Sequence, residues 1–280
     1  MGREQQIADR VRAAAADNTP LVIRGGGSKT WYGDPLRGEP LNVADHAGVI
    51  EYDPGELVLT CRAGTPLAEL RTLLEENGQH LPFDPPAFGP AATIGGAVAC
   101  GFSGPARPWV GALRDYLLGT RIVNGRGEIL RFGGQVMKNV AGYDLSRTLT
   151  GSLGTLALLL DIHLKVLPRP EAEATLTQTC TAAEAIERCN HWSAVPTPLT
   201  AACYSNDRLV FRLSGTERGV ANAASRLGGD TQPGEASFWQ DLKEQTLPFF
   251  AGDDPVWRLS LPPASAPLDL DGEQLIDWGG

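Results

Sequence analysis

The alternation of apolar and polar positions divides the chain into short segments of changing period. Residues 4 to 16 have helix-forming composition, and Pro20 closes the connection into a short β run, Leu21 to Arg24. Val49 to Asp53 and Leu57 to Arg62 read as two strands joined by the turn dipeptide Pro54-Gly55. Next, Gly64-Thr65-Pro66 opens a helix, with Thr65 expected as N-cap and Pro66 as its first residue. Leu67, Leu70, Leu73 and Leu74 share one face until Gly78 stops it. Gly119 to Asn124 and Glu128 to Phe132 read as a hairpin turned at Asn124-Gly125 or at Gly127. A short helix between glycines then leads into the long apolar run Leu156 to Leu167.

Pro168 and Pro170 mark a boundary, after which the order becomes strand, helix, strand, strand, helix. The pieces are Thr175 to Thr179, Ala182 to His191, Ala201 to Tyr204, Arg208 to Leu213 and Thr216 to Leu227. Such split units predict a small antiparallel sheet of ferredoxin-like type with helices on one side. Beyond Gly228-Gly229 lie an amphipathic stretch (Phe238 to Phe250), an expected strand at Val256 to Leu261, and a strand-like ending, LIDWGG. On this reading the last domain is incomplete at its C-terminus. The expected fold class is α+β, with domains over 1–170 (lobes of about 1–62 and 63–170) and 171–280.

Composition removes several function classes. The formal charge of −9, with ten acidic and two basic residues between 229 and 280, argues against nucleic acid as a partner. Residues 101 to 150 run the other way, with seven basic and three acidic residues, which makes them the electropositive part of the chain. No apolar run is long enough to cross a bilayer, and the N-terminus lacks a signal-peptide core, so the expected location is the cytoplasm. The five cysteines form no CxxC pair and the four histidines no HExxH or HxH pattern, so no metal site is expected.

The candidate chemistry is in the glycines. RGGGSKT (Arg24 to Thr30) follows the first β run, but a P-loop would need glycines where Ile23 and Ser28 stand, and no helix follows. The dinucleotide fingerprint fails too, because Thr30 occupies the place of its third glycine. A nest of backbone N–H groups around an anion remains, beside a plain tight turn. Two further glycine–hydroxyl clusters, TIGG (Thr93 to Gly96) and GSLGT (Gly151 to Thr155), fit one extended diphosphate ligand better than three unrelated turns. The stretch 82–105 around TIGG, with five prolines and five glycines, is expected to be an ordered, packed loop.

The blocks PLVIRGGGSK, LPFDPP, TIGGAVACGFSGPAR, RDYLLGTRIVNGRGEILRFGG and KNVAGYDLSRTLTGSLGTLALLLDIHLKVLPRP resemble the FAD-binding family typified by vanillyl-alcohol oxidase and p-cresol methylhydroxylase (PCMH-type). IEYDPGELVLTCRAGTPLAEL, WRLSLP and LIDWGG resemble, more narrowly, the E subunits of bacterial glycolate oxidase (glycolate dehydrogenase). The resemblance implies a two-lobed flavin domain followed by a cap, with FAD as cofactor.

Carried onto this chain, Arg24, Gly25, Gly26, Gly27, Ser28 and Lys29 form the first pyrophosphate loop. Pro85, Pro86, Thr93, Ile94, Gly95 and Gly96 form the second, with Gly101, Ser103, Gly104 and Pro105 toward the flavin ring. Gly151, Ser152 and Gly154 close around the cofactor, and Lys138, Asn139, Gly142 and Tyr143 belong to a block near the site.

Many members tether FAD through a histidine just after the first glycines. Here Ser28, Lys29, Thr30 and Trp31 stand there, so non-covalent FAD is expected. The histidine motif of 2-hydroxy-acid members is also missing, and residues 171–280 hold only His191. That favours an electron-transferring FAD subunit over a self-sufficient 2-hydroxy-acid oxidoreductase using Tyr143, Lys138 or Arg107. The resemblance implies as partners a larger FAD-linked catalytic subunit and an iron–sulfur subunit. It implies a small 2-hydroxy acid as the substrate of the complex, and contact with the inner membrane only through that complex.

Overall fold

The computed structural model describes residues 2–134, 144–231 and 236–280 and divides the chain into two compact units. The first comprises residues up to Ser103 together with Ala112–Pro168; the second comprises Gly104–Gly111 and Arg169–Gly280.

The first unit begins with α1 (Arg3–Ala16), β1 (Leu21–Arg24) and β2 (Glu39–Asn42); β1 and β2 pair in parallel. The expected hairpin is present as β3 (Val49–Asp53) and β4 (Val58–Arg62), followed by α2 (Leu67–Glu76) and the short β5 (Gln79–His80). The stretch expected to be a loop contains α3 (Ile94–Cys100), after which α4 (Arg107–Val110) counts with the second unit. The hairpin β6 (Leu117–Val123) and β7 (Ile129–Gly133) turns at Gly127, whose φ is +73°, while the Asn124 carboxamide oxygen accepts from the N–H groups of Arg126 and Glu128. Then come α5 (Leu145–Thr148), β8 (Leu158–Lys165) and β9 (Leu167–Pro168), which pairs with β5.

The main sheet runs β3-β4-β8-β6-β7, antiparallel throughout. Its strand β8 explains the apolar run in the sequence, because both of its faces are covered. Leu158 and Leu160 pack with Ile7 and Ala8 of α1. Leu159, Ile162 and Leu164 pack with Leu67, Leu70 and Leu74 of α2 and with Ile94 and Val98 of α3. A strand buried on both sides reads as continuous apolar sequence instead of alternating, and each such side chain stabilises by about 1.5–3 kcal/mol.

Two local expectations are corrected. Thr65 does not cap α2: its hydroxyl donates to the Arg62 carbonyl (2.6 Å) and accepts from the Gly48 N–H (2.9 Å), so Pro66 takes the cap position and the helix starts one residue later. The segment 82–105 is not loop throughout. Thr93 caps α3, its hydroxyl accepting from the Gly96 N–H at 3.2 Å, and Gly101 ends the helix at φ +68°.

In the second unit, β10 (Ala172–Thr179), α6 (Ala182–Ser193), β11 (Leu199–Ser205), β12 (Arg208–Gly215), α7 (Glu217–Leu227) and β13 (Asp230–Thr231) follow one another. The sheet order β13-β10-β12-β11 is the ferredoxin-like split βαββαβ arrangement. Thr181 and Glu184 form a capping box at α6, and Thr216 caps α7. These helices cover one face of the sheet, with Trp192 against Phe211. On the other face, α8 (Ala236–Glu244) packs Trp239 and Leu242 against Ala201, Cys203 and Val210, so helices lie on both sides. β14 (Ile276–Asp277) extends the sheet beside β11. Val256–Leu261 is not a strand: it has no ladder partner among the described residues and Trp257 is 83% exposed.

No cysteine among the described residues is in a disulfide. Cys61, Cys180, Cys189 and Cys203 are buried and Cys100 is half-buried, all reduced. Burial pushes the Cys189 thiol up to about 12 and the Cys61 thiol higher still.

Candidate functional site

The first glycine loop is placed by β1, whose last carbonyl, Arg24 O, accepts from the Val43 N–H at 2.8 Å. The chain then lies directly on the second loop. A Cβ built on Gly25 would stand 2.6 Å from the Thr93 hydroxyl, and one on Gly26 1.5 Å from the Ala91 carbonyl oxygen. Gly27 faces the other way: with φ +71°, no heavy atom lies within 4 Å of where its Cβ would be. The N–H groups of Gly25, Gly26, Gly27 and Ser28 donate to no acceptor among the described residues. Lys29 is 9% exposed, and its ammonium donates to the Ala87 carbonyl at 3.0 Å and to the Ser28 hydroxyl at 3.3 Å. A fixed positive charge thus stands next to a loop of open donors, the local chemistry that takes an anion.

The second cluster behaves differently. Gly95 fits α3 against the chain after β4, where a Cβ would come within 2.7 Å of both Ala63 Cβ and Ala63 O. All the first-turn donors have protein acceptors: Ile94 N–H donates to Thr65 O (3.0 Å), Gly95 N–H to Ala63 O (2.8 Å), Gly96 N–H to the Thr93 hydroxyl and Ala97 N–H to Thr93 O (3.0 Å). Pro85 and Pro86 are buried upstream, with the Arg71 guanidinium donating to Pro85 O at 2.7 Å.

The third cluster is strapped to the far end of α3. Gly151 N–H donates to Val98 O (3.0 Å) and Leu153 N–H to Ala99 O (2.8 Å), and a Cβ on Gly101 would stand 3.1 Å from the Gly151 backbone. Gly154, at φ +77°, faces Ile23 of β1, and Ser152 O accepts from the Thr155 hydroxyl. The three clusters therefore surround one short helix, with Gly27 and Gly151 both opening onto free space.

Sequence reasoning missed the aromatics. Trp31, Tyr32, Phe88 and Phe102, each within a few residues of a glycine cluster, make a continuous set of ring contacts, and Trp31 is 57% exposed. Open N–H donors, a fixed ammonium and exposed flat rings suit a dinucleotide with a diphosphate between planar ends.

Comparison with known proteins agrees. Residues 1–133 match the family described as FAD binding domain. Over 99% of its length the chain is 50% identical to glycolate oxidase subunit GlcE of Escherichia coli, covering 78% of that protein. It belongs to the GlcE family of glycolate oxidase subunits. Its residues 1–133 belong to an FAD-binding domain. Across 61% of the chain it is also 34% identical to glycolate oxidase subunit GlcD of Bacillus subtilis, covering 37% of that protein. A solved structure of alkyldihydroxyacetonephosphate synthase superposes on 86% of this chain and 53% of its own, with TM-score 0.66 at 18% identity, a likeness of fold alone.

The remaining candidates of this GlcE-family chain are dispersed. Ser103 stays in the first unit, where its hydroxyl accepts from the Leu113 N–H at 3.0 Å, whereas Gly104 and Pro105 count with the second. Lys138, Asn139, Gly142 and Tyr143 lie outside the described residues. Arg107 lies on α4 with its guanidinium 4.6 Å from the Trp278 ring centre. His191 is exposed in the last turn of α6.

Among the described residues, Glu4, His46 and Asp161 bring three possible metal-ligand atoms within 4.8 Å of one another. The Arg121 guanidinium already binds both carboxylates there. Burial would raise the Asp161 carboxyl, but hydrogen bonds from His46 and Arg121 outweigh it and hold the group below the usual range. The cluster is an ion-pair network joining α1 to β6 and β8. A cleft of about 320 Å³ in the second unit, lined by Thr179, Asn206, Asp207 and Arg208 among others, contains none of the candidate residues.

Proposed function

We propose that this chain carries FAD non-covalently as the FAD-binding subunit of a multi-subunit glycolate oxidase. It exchanges electrons with a larger FAD-linked catalytic subunit and an iron–sulfur subunit. The observation that carries this reading is the 50% identity to GlcE over 99% of the chain, joined to the open donors of the first glycine loop. Bound FAD supplies a two-electron acceptor that returns electrons to a partner. The protein's part is binding and orientation. Gly25 to Ser28 donate backbone N–H groups to the diphosphate, Lys29 sets positive charge beside it, and Gly27 keeps the approach clear. α3 and the Gly151 to Gly154 turn fix the loop from below, and the ring cluster at Trp31 borders the planar parts. Ser28, Lys29, Thr30 and Trp31 stand directly after the glycines, with no histidine among them to form a covalent link.

No helix of the described residues is long and apolar enough to cross a membrane; on this reading, any contact with the membrane is made through the partners. The substrate of the complex on this reading is a small 2-hydroxy acid such as glycolate. A second reading, a self-sufficient 2-hydroxy-acid oxidoreductase, is favoured by the paired arginines around Trp278.

Anaerobic addition of glycolate or D-lactate to the purified FAD-loaded chain separates the two. The subunit reading expects bleaching of the flavin only after the larger flavoprotein is supplied, and rapid bleaching of the chain alone would sink it. Denaturation should release all flavin into the supernatant. Flavin remaining on the precipitated polypeptide would contradict non-covalent binding.

A further inference from the structure

In the second unit Trp278 gathers features that the electron-transferring subunit reading does not use. Its φ of +63° is a conformation that a bulky residue rarely adopts. Its indole N–H is buried and has no hydrogen-bond partner among the described residues. Two guanidiniums lie over its ring, Arg258 at 4.0 Å and Arg107 at 4.6 Å from the centre. They come from points about 150 residues apart in the sequence, and neither has a carboxylate within ion-pair distance among the described residues. Arg258 is one of two basic residues between 229 and 280; the acid next to Trp278 in the chain, Asp277, accepts from the Trp278 backbone N–H at 2.8 Å and feels the Arg258 charge without forming an ion pair with it, while burial pushes its carboxyl up to about 6.

The local packing holds this arrangement in place. Gly279, at φ +84°, lets the turn after Trp278 press on α4, where a Cβ would come 3.4 Å from the Trp109 ring. The Trp109 indole N–H is tied to the Ser193 hydroxyl on α6 at 3.1 Å, so α4, and Arg107 with it, is anchored beside Trp278. Gly280 closes the turn, its Cβ position lying 2.4 Å from Pro263 O.

A guanidinium stacked on a ring uses its face. Its in-plane N–H fork stays free, and that fork matches the two oxygens of a carboxylate. We propose that Arg107, Arg258 and the Trp278 indole N–H form a clamp for the carboxylate of a small hydroxy or oxo acid. The choice of a small organic acid rests on the glycolate oxidase reading; the oxyanion chemistry of the clamp does not.

The test uses the purified FAD-loaded chain and follows the indole N–H resonance of Trp278, assigned by its loss in Trp278→Phe, during titration with sodium glycolate, sodium glyoxylate and, separately, sodium sulfate. The clamp is expected to give a saturable shift of that resonance with glycolate or glyoxylate, weakened at least tenfold in Arg258→Gln and in Arg107→Gln and only partly restored in Arg258→Lys. Absence of any saturable shift, or an unchanged titration in both glutamine variants with native melting temperatures, would overturn it. Sulfate binding tighter than either organic acid would overturn the assignment to a carboxylate. Flavin content, measured on the same samples, reports on the FAD reading independently. A chain that keeps FAD but shows no shift loses only the clamp, and one that shifts without holding FAD loses the proposed function.

Discussion

The loop Arg24 to Lys29 and the helix start Thr93 to Gly96 look alike as sequence, yet they use glycine for different ends. In the loop four successive N–H groups, Gly25 to Ser28, have no acceptor among the described residues, and the space above Gly27 is clear. At the head of α3 every first-turn N–H has a protein acceptor, and Gly95 exists to let the helix sit on Ala63. On the proposed function, the first region receives the diphosphate and the second holds the first in place. A glycine pair therefore identifies a close approach without saying whether a ligand or the protein itself makes it.

The sharpest way to break the comparison is Gly26→Val, which acts where the two regions touch. A side chain there overlaps the Ala91 carbonyl, so the loops must part; the expected result is soluble protein without flavin and a loss of at least about 3 kcal/mol in urea unfolding. Gly95→Ala comes next. The added methyl pushes α3 away from Ala63 at a cost of about 1–3 kcal/mol, and FAD affinity should fall by less than stability does. Gly27→Ala should show the opposite ratio. Nothing in the protein resists the methyl, the positive φ costs about 1–2 kcal/mol, and the FAD dissociation constant should rise about tenfold or more because the methyl enters the ligand's space. The smallest effect is expected from Thr93→Ala, which removes the cap of α3 for about 1 kcal/mol and leaves FAD affinity within about twofold. Affinities by flavin fluorescence titration and stabilities by urea unfolding decide each case. If Thr93→Ala weakens FAD more than Gly27→Ala does, the roles of the two regions are reversed.

Much of the fold was legible because its signals are local. The β3–β4 and β6–β7 hairpins carry their turn residues between strand-forming runs, and the order of strands and helices after Pro168 carries the split βαββαβ pattern. β2 was missed because Glu39-Pro40-Leu41-Asn42 has no alternation and offers a single buried position, Leu41, which packs in one cluster with Leu21 and Ile23 of β1. α3 was taken for loop because two glycines in seven residues each cost about 1 kcal/mol of helix propensity; the Thr93 cap and burial of Ile94, Ala97 and Val98 override that cost. Val256 to Leu261 has strand composition, but strand formation needs a neighbour, and composition does not supply one.

The site was legible to a similar depth. The three glycine clusters stood out, and the structure brings them around α3. Which of them keeps open donors depended on carbonyls at Ala63 and Thr65, some 30 residues before the helix they hold. The aromatics at Trp31, Phe88 and Phe102 gave a signal only in their nearness to glycine, and the pairing of Arg107 with Trp278 gave none, since it spans most of the chain.

The central claim is that the first loop grips a diphosphate. It is tested most directly by the ratio of FAD to FMN affinity, measured by titration of the flavin-free chain and of its Gly27→Ala variant. FMN has the ring but no diphosphate bridge. The account predicts FAD binding tighter than FMN by about a hundredfold in the native chain, as two or so charge-assisted hydrogen bonds would give, with that ratio falling at least tenfold in the variant. Equal affinities in the native chain, or a ratio untouched by Gly27→Ala, would contradict it.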